Sequence, residues 1–147
     1  LNVVIARCFS FVGRYLPRNQ HFAIGNFIAN GINGKDINVK ADRLVYRSYM
    51  YADDLVDWLL TLAANSNATC PIYNVGSDQV FEIRELAIII SKIFNVSVKS
   101  VELNSNSIKD LYIPSIAKAQ KELGLSNKYE IINSILMSAN ISGTHTN

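Results

Sequence analysis

The run from Val3 to Cys8 constrains the fold more than any other part of this sequence. It is apolar or β-branched at every position except Arg7. A continuous apolar run, as opposed to an alternating one, is typical of a strand that is buried on both faces within a parallel sheet. The run therefore predicts an α/β protein in which this strand is central.

Strand-like and helical patterns alternate along the rest of the chain, which supports the same fold class. Further strands are predicted at 37–39, 46–51, 72–75 and 96–103, and helices at 22–32, 53–63, 86–93, 115–123 and 128–139. Neither an internal repeat nor a linker interrupts this alternation. Residues 1–147 are therefore predicted to form a single unit, with 141–147 as a frayed tail.

The ends and faces of the helices are also predictable. Gly34, Asn95 and Gly124 are expected to end helices, whereas Asp53, Asp54 and Ser115 are expected to cap them. On the second helix a broad buried stripe is expected at Leu55, Val56, Leu59, Leu60 and Ala63.

Composition argues against several classes of function. Hydrophobic residues make up 49% and charged residues 18% of the chain, and the formal net charge is only +2. The basic residues, Arg18 and Lys40 among them, are scattered, so nucleic-acid binding is not expected. The longest apolar stretch spans 86–90, far short of a membrane span. We expect a cytoplasmic protein, with Cys8 and Cys70 as buried free thiols.

Leu1 opens directly into the first strand-like run, with no methionine and no lead-in. Natural domains rarely begin in the middle of a strand. This start predicts that the chain is part of a longer protein.

Four segments together resemble a known family. They read RCFSFVG at 7–13, YRSYMYADD at 46–54, YNVGS at 73–77, and YIPS followed by KA and ELGL between 112 and 125. In this order and spacing they resemble the extended short-chain dehydrogenase/reductase family, specifically its NAD-dependent sugar-nucleotide epimerases and dehydratases. Ser10 stands where that family usually has Asn, and Arg14 stands where it usually has Pro.

The resemblance implies the carboxy-terminal portion of a Rossmann-type fold: the last parallel strands plus the small substrate-binding domain. The amino-terminal dinucleotide-binding part would be absent. The complete protein would use NAD or NADP and act on a nucleoside diphosphate sugar. The implied substrate-binding residues are Ser10, Asn26, Ile37, Val39, Arg47 and Asn74, and the implied cofactor contacts are Cys8 and Phe9.

Two of these residues suit a pyrophosphate. Arg47 carries a planar fork of donors that matches phosphate oxygens, although a surface ion pair with Asp53 or Glu85 would also explain it. Asn74 follows a predicted strand, and its amide is suited to donate to the same group, or else to bond its own backbone in a turn.

The remaining residues have equally plain alternatives. Asn26 lies near a helix start, where phosphate is favoured, but it would also suit a water-facing position. Ser10 is shorter than Asn, which predicts a weaker or water-bridged contact. Ile37 and Val39 suit a nucleobase contact or the core, and Cys8 and Phe9 a nicotinamide contact or the core.

No catalytic centre is expected from this chain's own residues. In the resembled family a Tyr is activated by a Lys four residues later, and none of the 7 tyrosines here has that Lys. No glycine-rich dinucleotide turn is present either, since Ile37 occupies the third position after Gly31 and Gly34. Asp53 and Asp54 are interpreted as helix caps and not as a metal or acid–base pair, and His21 as a loop residue.

Three hypotheses remain. The chain is the substrate-binding part of an NAD-dependent enzyme, inactive without its amino-terminal half; or a stand-alone nucleotide-sugar-binding or oligomerisation module; or a relative that senses NAD(P). Loss of the partner strands would expose Val3, Val4 and Ile5, so we expect association into homo-oligomers. Whether the complete protein epimerises, dehydrates, decarboxylates or reduces is left open.

Overall fold

A computed structural model describes residues 1–18, 20, 22–104 and 106–140. His21 and the segment 141–147 lie outside these described residues, so the predictions made for them are not addressed. The strands are β1 (Ile5–Cys8), β2 (Phe11–Val12), β3 (Ile37–Val39), β4 (Val45–Arg47), β5 (Met50–Tyr51), β6 (Ile72–Val75), β7 (Phe81–Glu82), β8 (Val98–Ser100) and β9 (Asp110–Tyr112). The helices are α1 (Ala23–Ile32), α2 (Ala52–Ala64), α3 (Ile83–Phe94), α4 (Ala117–Leu123) and α5 (Ile131–Ser138).

Parallel pairing dominates the strands, as the sequence predicts for an α/β protein. β1 pairs with β6, with Ile5 opposite Ile72 and Cys8 opposite Val75. β2 pairs with β5 and β3 with β8, also in parallel. β4 is the centre of a three-stranded mixed sheet, antiparallel to β7 and parallel to β9.

The first strand is less buried than predicted. Val3 and Ile5 are 41% and 43% exposed, so the expectation of burial on both faces is wrong for this chain. Among the described residues, β6 is the one strand that pairs with β1. Within the part of the chain that the structure describes, the other edge of β1 therefore has no neighbouring strand.

The described residues form two apolar cores, and β5 contributes to both, with Tyr51 in the larger core and Met50 in the smaller one. The larger one joins α1, α3 and β3 and includes Ile28, Ile37, Leu86 and Ile90. α1 and α3 come close because Gly31 faces the ring of Phe94, where any side chain would collide. The smaller core is formed by Met50, Trp58, Leu62, Tyr73, Val75, Ile116 and Ala119.

Helix α2 buries a different face from the one that the sequence predicts. Its buried residues are Asp54, Trp58 and Leu62, whereas Val56 and Leu60 are exposed. The rotation has two causes. Trp58 is the largest side chain of the smaller core, and the Asp54 carboxylate accepts backbone N–H bonds from Lys128 and Tyr129 at 3.0 and 3.3 Å. Simple counting of aliphatic residues missed both anchors.

The residues predicted to end helices agree with the structure, whereas those predicted to cap the helix starts do not. Asn95 and Gly124 end α3 and α4 in the left-handed conformation, and Gly34 also has a positive φ just after α1. The predicted caps are wrong, because the residues before α2 and α4 are Tyr51 and Ile116, neither of which makes a side-chain capping bond. Asp53 and Asp54 instead lie within the first turn of α2, where they still complement the helix dipole.

Both cysteines are free, as predicted, but their predicted burial is wrong. The Cys8 thiol is exposed at the end of β1, and Cys70 is only partly buried, at a backbone φ of 51°. Cys8 is exposed for the same reason as Ile5, since β1 has an uncovered side. None of the helices described is both long and apolar enough to cross a bilayer.

Candidate functional site

A cleft of about 820 Å³ opens where β1, α1, β3 and β4 converge. Its wall includes Cys8, Phe9 and Ser10, which leave the carboxyl end of β1, and Asn26 from the first half of α1. Ends of parallel strands and the start of a following helix are where α/β proteins usually place ligands. The volume is within the range of pockets that hold molecules of nucleotide size.

Six of the eight residues singled out from the sequence line this cleft. They are Cys8, Phe9, Ser10, Asn26, Val39 and Arg47. The other two do not. Ile37 is fully buried in the larger core. It directly precedes Asn38 and Val39, the two residues of β3 that line the cleft. Asn74 lies in β6, where its amide donates to the Ser115 carbonyl at 3.0 Å, so it neither lines the cleft nor makes the predicted turn with its own backbone.

The cleft wall is positively charged. Arg18, Lys40 and Arg47 line it, and none of the described lining residues is Asp or Glu. Amide side chains add neutral donors and acceptors at Gln20, Asn26, Asn30 and Asn38. A concave surface with three cations and several amides favours a ligand that is anionic and rich in hydrogen-bonding groups.

Arg47 sits at the carboxyl end of β4 in a fixed orientation. Its Nη1 and Nη2 donate to the two carboxylate oxygens of Asp110 at 3.0 and 2.9 Å, and Nη1 also donates to the Tyr46 carbonyl at 2.8 Å. Arg47 therefore makes an ion pair, but its partner is Asp110 and not Asp53 or Glu85, the two candidates from the sequence. The hydrogen bond from Arg47 lowers the pKa of Asp110, so this carboxylate is charged at neutral pH.

Aromatic side chains form one side of the cleft. The rings of Phe9 and Tyr112 pack with centroids 4.8 Å apart, and the Arg47 guanidinium lies 6.0 Å from the Tyr112 ring. Tyr49 also lines the cleft. Burial raises its pKa to about 12, against a smaller opposing effect of Arg47. Its hydroxyl therefore stays protonated near neutral pH and suits hydrogen bonding better than proton abstraction.

The side-chain amide of Asn26 already makes one hydrogen bond within the chain. Its Nδ2 donates to the Gln20 carbonyl at 2.8 Å, which ties the loop before α1 to the helix. The N-cap of α1, Phe22, makes no side-chain capping bond, so the first N–H groups of the helix are not satisfied in that way. Asn26 thus shapes this end of the cleft as well as lining it.

The two residues expected to contact the cofactor form one wall of a cofactor site and not a complete site. Cys8 and Phe9 line the cleft at the end of β1, a position that suits contact with a flat ring. No glycine-rich turn exists anywhere in the 147 residues to cradle a dinucleotide pyrophosphate. The chain's own residues therefore fit an edge of such a cofactor and not the whole of it.

Among the cleft residues that sequence reasoning missed are two cations, Arg18 and Lys40, and two tyrosines, Tyr49 and Tyr112. The two cations looked scattered because they are 22 positions apart in the chain. Tyr112 belongs to one of the four motif segments, so the signal was present but no role was attached to it. Tyr49 lies in another of these motif segments, 46–54, and it was likewise given no role. Across the described residues, no group of three His, Cys, Asp or Glu side chains is arranged to hold a metal.

Comparison with known proteins finds relatives of this chain. A family profile described as the NAD dependent epimerase/dehydratase family matches residues 1–76. UDP-glucuronic acid decarboxylase 3 of Arabidopsis thaliana is 30% identical over 133 residues, which cover 89% of this chain and 38% of that protein. UDP-glucuronic acid decarboxylase 1 of Xenopus tropicalis is 30% identical over 93 residues, 63% of this chain and 22% of that protein.

Solved structures share the fold. UDP-glucose 4-epimerase of Thermotoga maritima, determined with UDP-glucose, superposes with a TM-score of 0.77 at 18% identity, over 95% of this chain and 45% of that one. DesIV, a dTDP-glucose 4,6-dehydratase of Streptomyces venezuelae with NAD bound, gives 0.78 at 22% identity, over 95% and 43%. The predicted extended short-chain dehydrogenase fold is confirmed. The chain spans less than half the length of these relatives.

Proposed function

This chain belongs to the NAD-dependent epimerase/dehydratase family, and from that premise we propose that it is the substrate-binding part of an enzyme acting on a nucleoside diphosphate sugar. The observation that carries the proposal is the cleft, which gathers three cations and four amides around an aromatic wall and has no carboxylate among its described lining residues. A nucleoside diphosphate sugar presents two phosphate charges between two hydroxyl-rich rings. The two patterns are complementary in charge and polarity.

Within this proposal the residues have separate tasks. Arg47 binds the diphosphate through charge-assisted hydrogen bonds. Asn38 and Val39 of β3 contact the base, and Ser10 contacts the sugar. Asn26 fixes the loop that closes one end of the cleft. Arg18 and Lys40 add positive potential that draws the anion in.

The cofactor of the complete protein is NAD or NADP in this proposal. Two structures that resemble this chain, MoeE5 and the Thermus thermophilus epimerase, contain NAD. The cofactor, when bound, supplies hydride transfer. Cys8 and Phe9 would contact its reactive ring from the end of β1, whereas the glycine-rich turn and the Tyr-x-x-x-Lys pair would come from polypeptide outside these 147 residues. Within the complete enzyme, the contribution of this chain is to bind and orient the substrate.

Titration calorimetry on the full-length protein tests substrate binding. We expect UDP- or dTDP-sugars to bind with micromolar affinity, and neutral sugars of the same kind, without the nucleotide, to show no heat. Binding should weaken as salt rises, because the attraction is between the cleft cations and the phosphates. Equal binding of a nucleotide sugar and its free sugar would contradict a diphosphate site.

A second candidate has one observation in its favour, namely that no tyrosine in the 147 residues is followed four positions later by lysine. A stand-alone module that binds nucleotide sugars without chemistry would have this property. Calorimetry on the 147-residue chain separates the two. Tight binding by these residues alone, without self-association, favours the module, whereas weak binding by an associating chain favours the enzyme part.

We also propose that the chain associates with polypeptide along β1. The support is the exposure of Val3 and Ile5 beside an edge that no described strand covers. Apolar side chains next to unpaired backbone groups favour pairing with another chain or segment. In the complete protein that partner is the amino-terminal half, and homo-oligomers are expected in addition. Sedimentation of the chain alone, and of Val3→Lys, measures the contribution of this edge.

A further inference from the structure

Arg47, the cation proposed to bind the diphosphate, already has a counter-ion. Asp110 contacts it with both carboxylate oxygens, at 3.0 and 2.9 Å. Nη1 is further engaged by the Tyr46 carbonyl at 2.8 Å. The positive charge of the guanidinium is therefore largely balanced before any ligand arrives.

The pair is built into the sheet and is not a chance meeting of flexible side chains. β4 and β9 run in parallel register, with Val45 opposite Asp110 and Arg47 opposite Tyr112. Arg47 consequently leans back along its strand toward Asp110, which lies two residue pairs behind it. The side chains are only 24% and 37% exposed, and a bidentate geometry limits rotation of both.

The arrangement leaves one edge of the guanidinium for a ligand. Among the described residues, acceptors are found for both Nη1 hydrogens and for one Nη2 hydrogen. The Nε hydrogen and the second Nη2 hydrogen have no such acceptor. Arg47 lines the cleft whereas Asp110 does not. The carboxylate therefore contacts the guanidinium on the side away from the cleft, and a phosphate would contact it on the side that faces the cleft.

Resting on the proposed function, we propose that Asp110 is a specificity-determining residue that lowers the affinity of this site for diphosphates without touching them. Its negative charge lies within one guanidinium width of the phosphate position, so it repels the ligand while it orients the cation. Arg43 also acts on Asp110 electrostatically, but it does not line the cleft. A site of this kind releases nucleotide more readily than one with an unpaired arginine.

The size of the effect follows from distance and screening. A carboxylate and a phosphate about 7 Å apart at a partly exposed site, where the effective dielectric constant is about 20 and the Debye length about 8 Å, repel each other enough to change binding about tenfold. Neutral ligands should not feel this repulsion.

The test compares Asp110→Asn with Asp110→Glu in the full-length protein, titrated with UDP and dTDP and with the neutral nucleosides uridine and thymidine. We expect Asp110→Asn to bind the better of the two diphosphates about tenfold more tightly than the wild type, with unchanged binding of its nucleoside. Asp110→Glu keeps the charge and should bind both like the wild type. A purely structural role for Asp110 would instead weaken all ligands together.

Each outcome decides between the two proposals. Unchanged or weaker diphosphate binding by Asp110→Asn, when the wild type binds diphosphate well, overturns the role of Asp110 and leaves the proposed function standing. No diphosphate binding by the wild type overturns both. If Asp110→Asn does not fold, Asp110→Thr serves as the neutral variant, since threonine is well accepted in a strand such as β9.

Discussion

Replacement of Arg47 by alanine should weaken substrate binding far more than cofactor binding. Arg47 offers at least two free donors to the cleft, and charge-assisted hydrogen bonds contribute about 1.5–3 kcal/mol each. Two bonds at the lower end of this range give about 3 kcal/mol, and since the side chain is 24% exposed, we reduce this to about 2 kcal/mol for solvent screening. That corresponds to an increase in KM of about thirtyfold, with a smaller change in kcat because the group is remote from the expected reaction centre.

The local charges make this prediction more specific. Arg47→Ala also leaves the Asp110 carboxylate without its bidentate partner, so part of the loss is repulsion by a newly exposed anion. The double variant Arg47→Ala/Asp110→Ala should therefore bind substrate more tightly than Arg47→Ala alone. This non-additivity is expected for residues in direct contact.

Steady-state kinetics for the nucleotide sugar and fluorescence titration for NAD provide the assay. Arg43→Ala is the matched control, because Arg43 is exposed and does not line the cleft, and it should change KM by less than about twofold. The reasoning fails if Arg47→Ala weakens NAD and substrate equally, if Arg43→Ala has the same effect, or if removal of Asp110 as well deepens the loss.

Two further predictions concern stability. Trp58→Ala should lower the free energy of unfolding by about 3–5 kcal/mol, because Trp58 is 1% exposed. Leu60→Ala, on the outer face of α2, should change it by less than about 0.5 kcal/mol. Urea denaturation measures both, and a larger loss for Leu60→Ala than for Trp58→Ala would support the buried stripe predicted from the sequence. Burial raises the pKa of Tyr49 from 10.0 to about 12. The unfolded protein therefore ionises this tyrosine at a lower pH than the folded protein does, and the free energy of unfolding should fall by up to about 2–3 kcal/mol as pH rises from about 10 to 12. Tyr49→Phe should lack this part of the alkaline loss, and parallel pH profiles for the two proteins would refute the assignment.

The elements of the fold were largely predictable because their signals lie in contiguous residues. The parallel strand that ends at Cys8, the helix that ends at Asn95 and the strand Ile72–Val75 follow from local runs, periodicity and a residue tolerant of positive φ. The four motif segments were equally readable, since each is short and their order is fixed by the chain. Cap positions failed because a shift of one to three residues at a helix start is decided by backbone geometry.

Only the tertiary structure decided which residues meet. Arg47 and Asp110 are 63 positions apart and pair because β4 and β9 lie side by side. The orientation of α2 depends on a carboxylate held by backbone groups 74 and 75 residues away, and the exposure of Cys8 depends on which strands lie beside β1. The sequence by itself determined the class of fold and the family, because local patterns encode both. The charge of the cleft and the partner of its arginine are sums over distant residues, and no local pattern contains them.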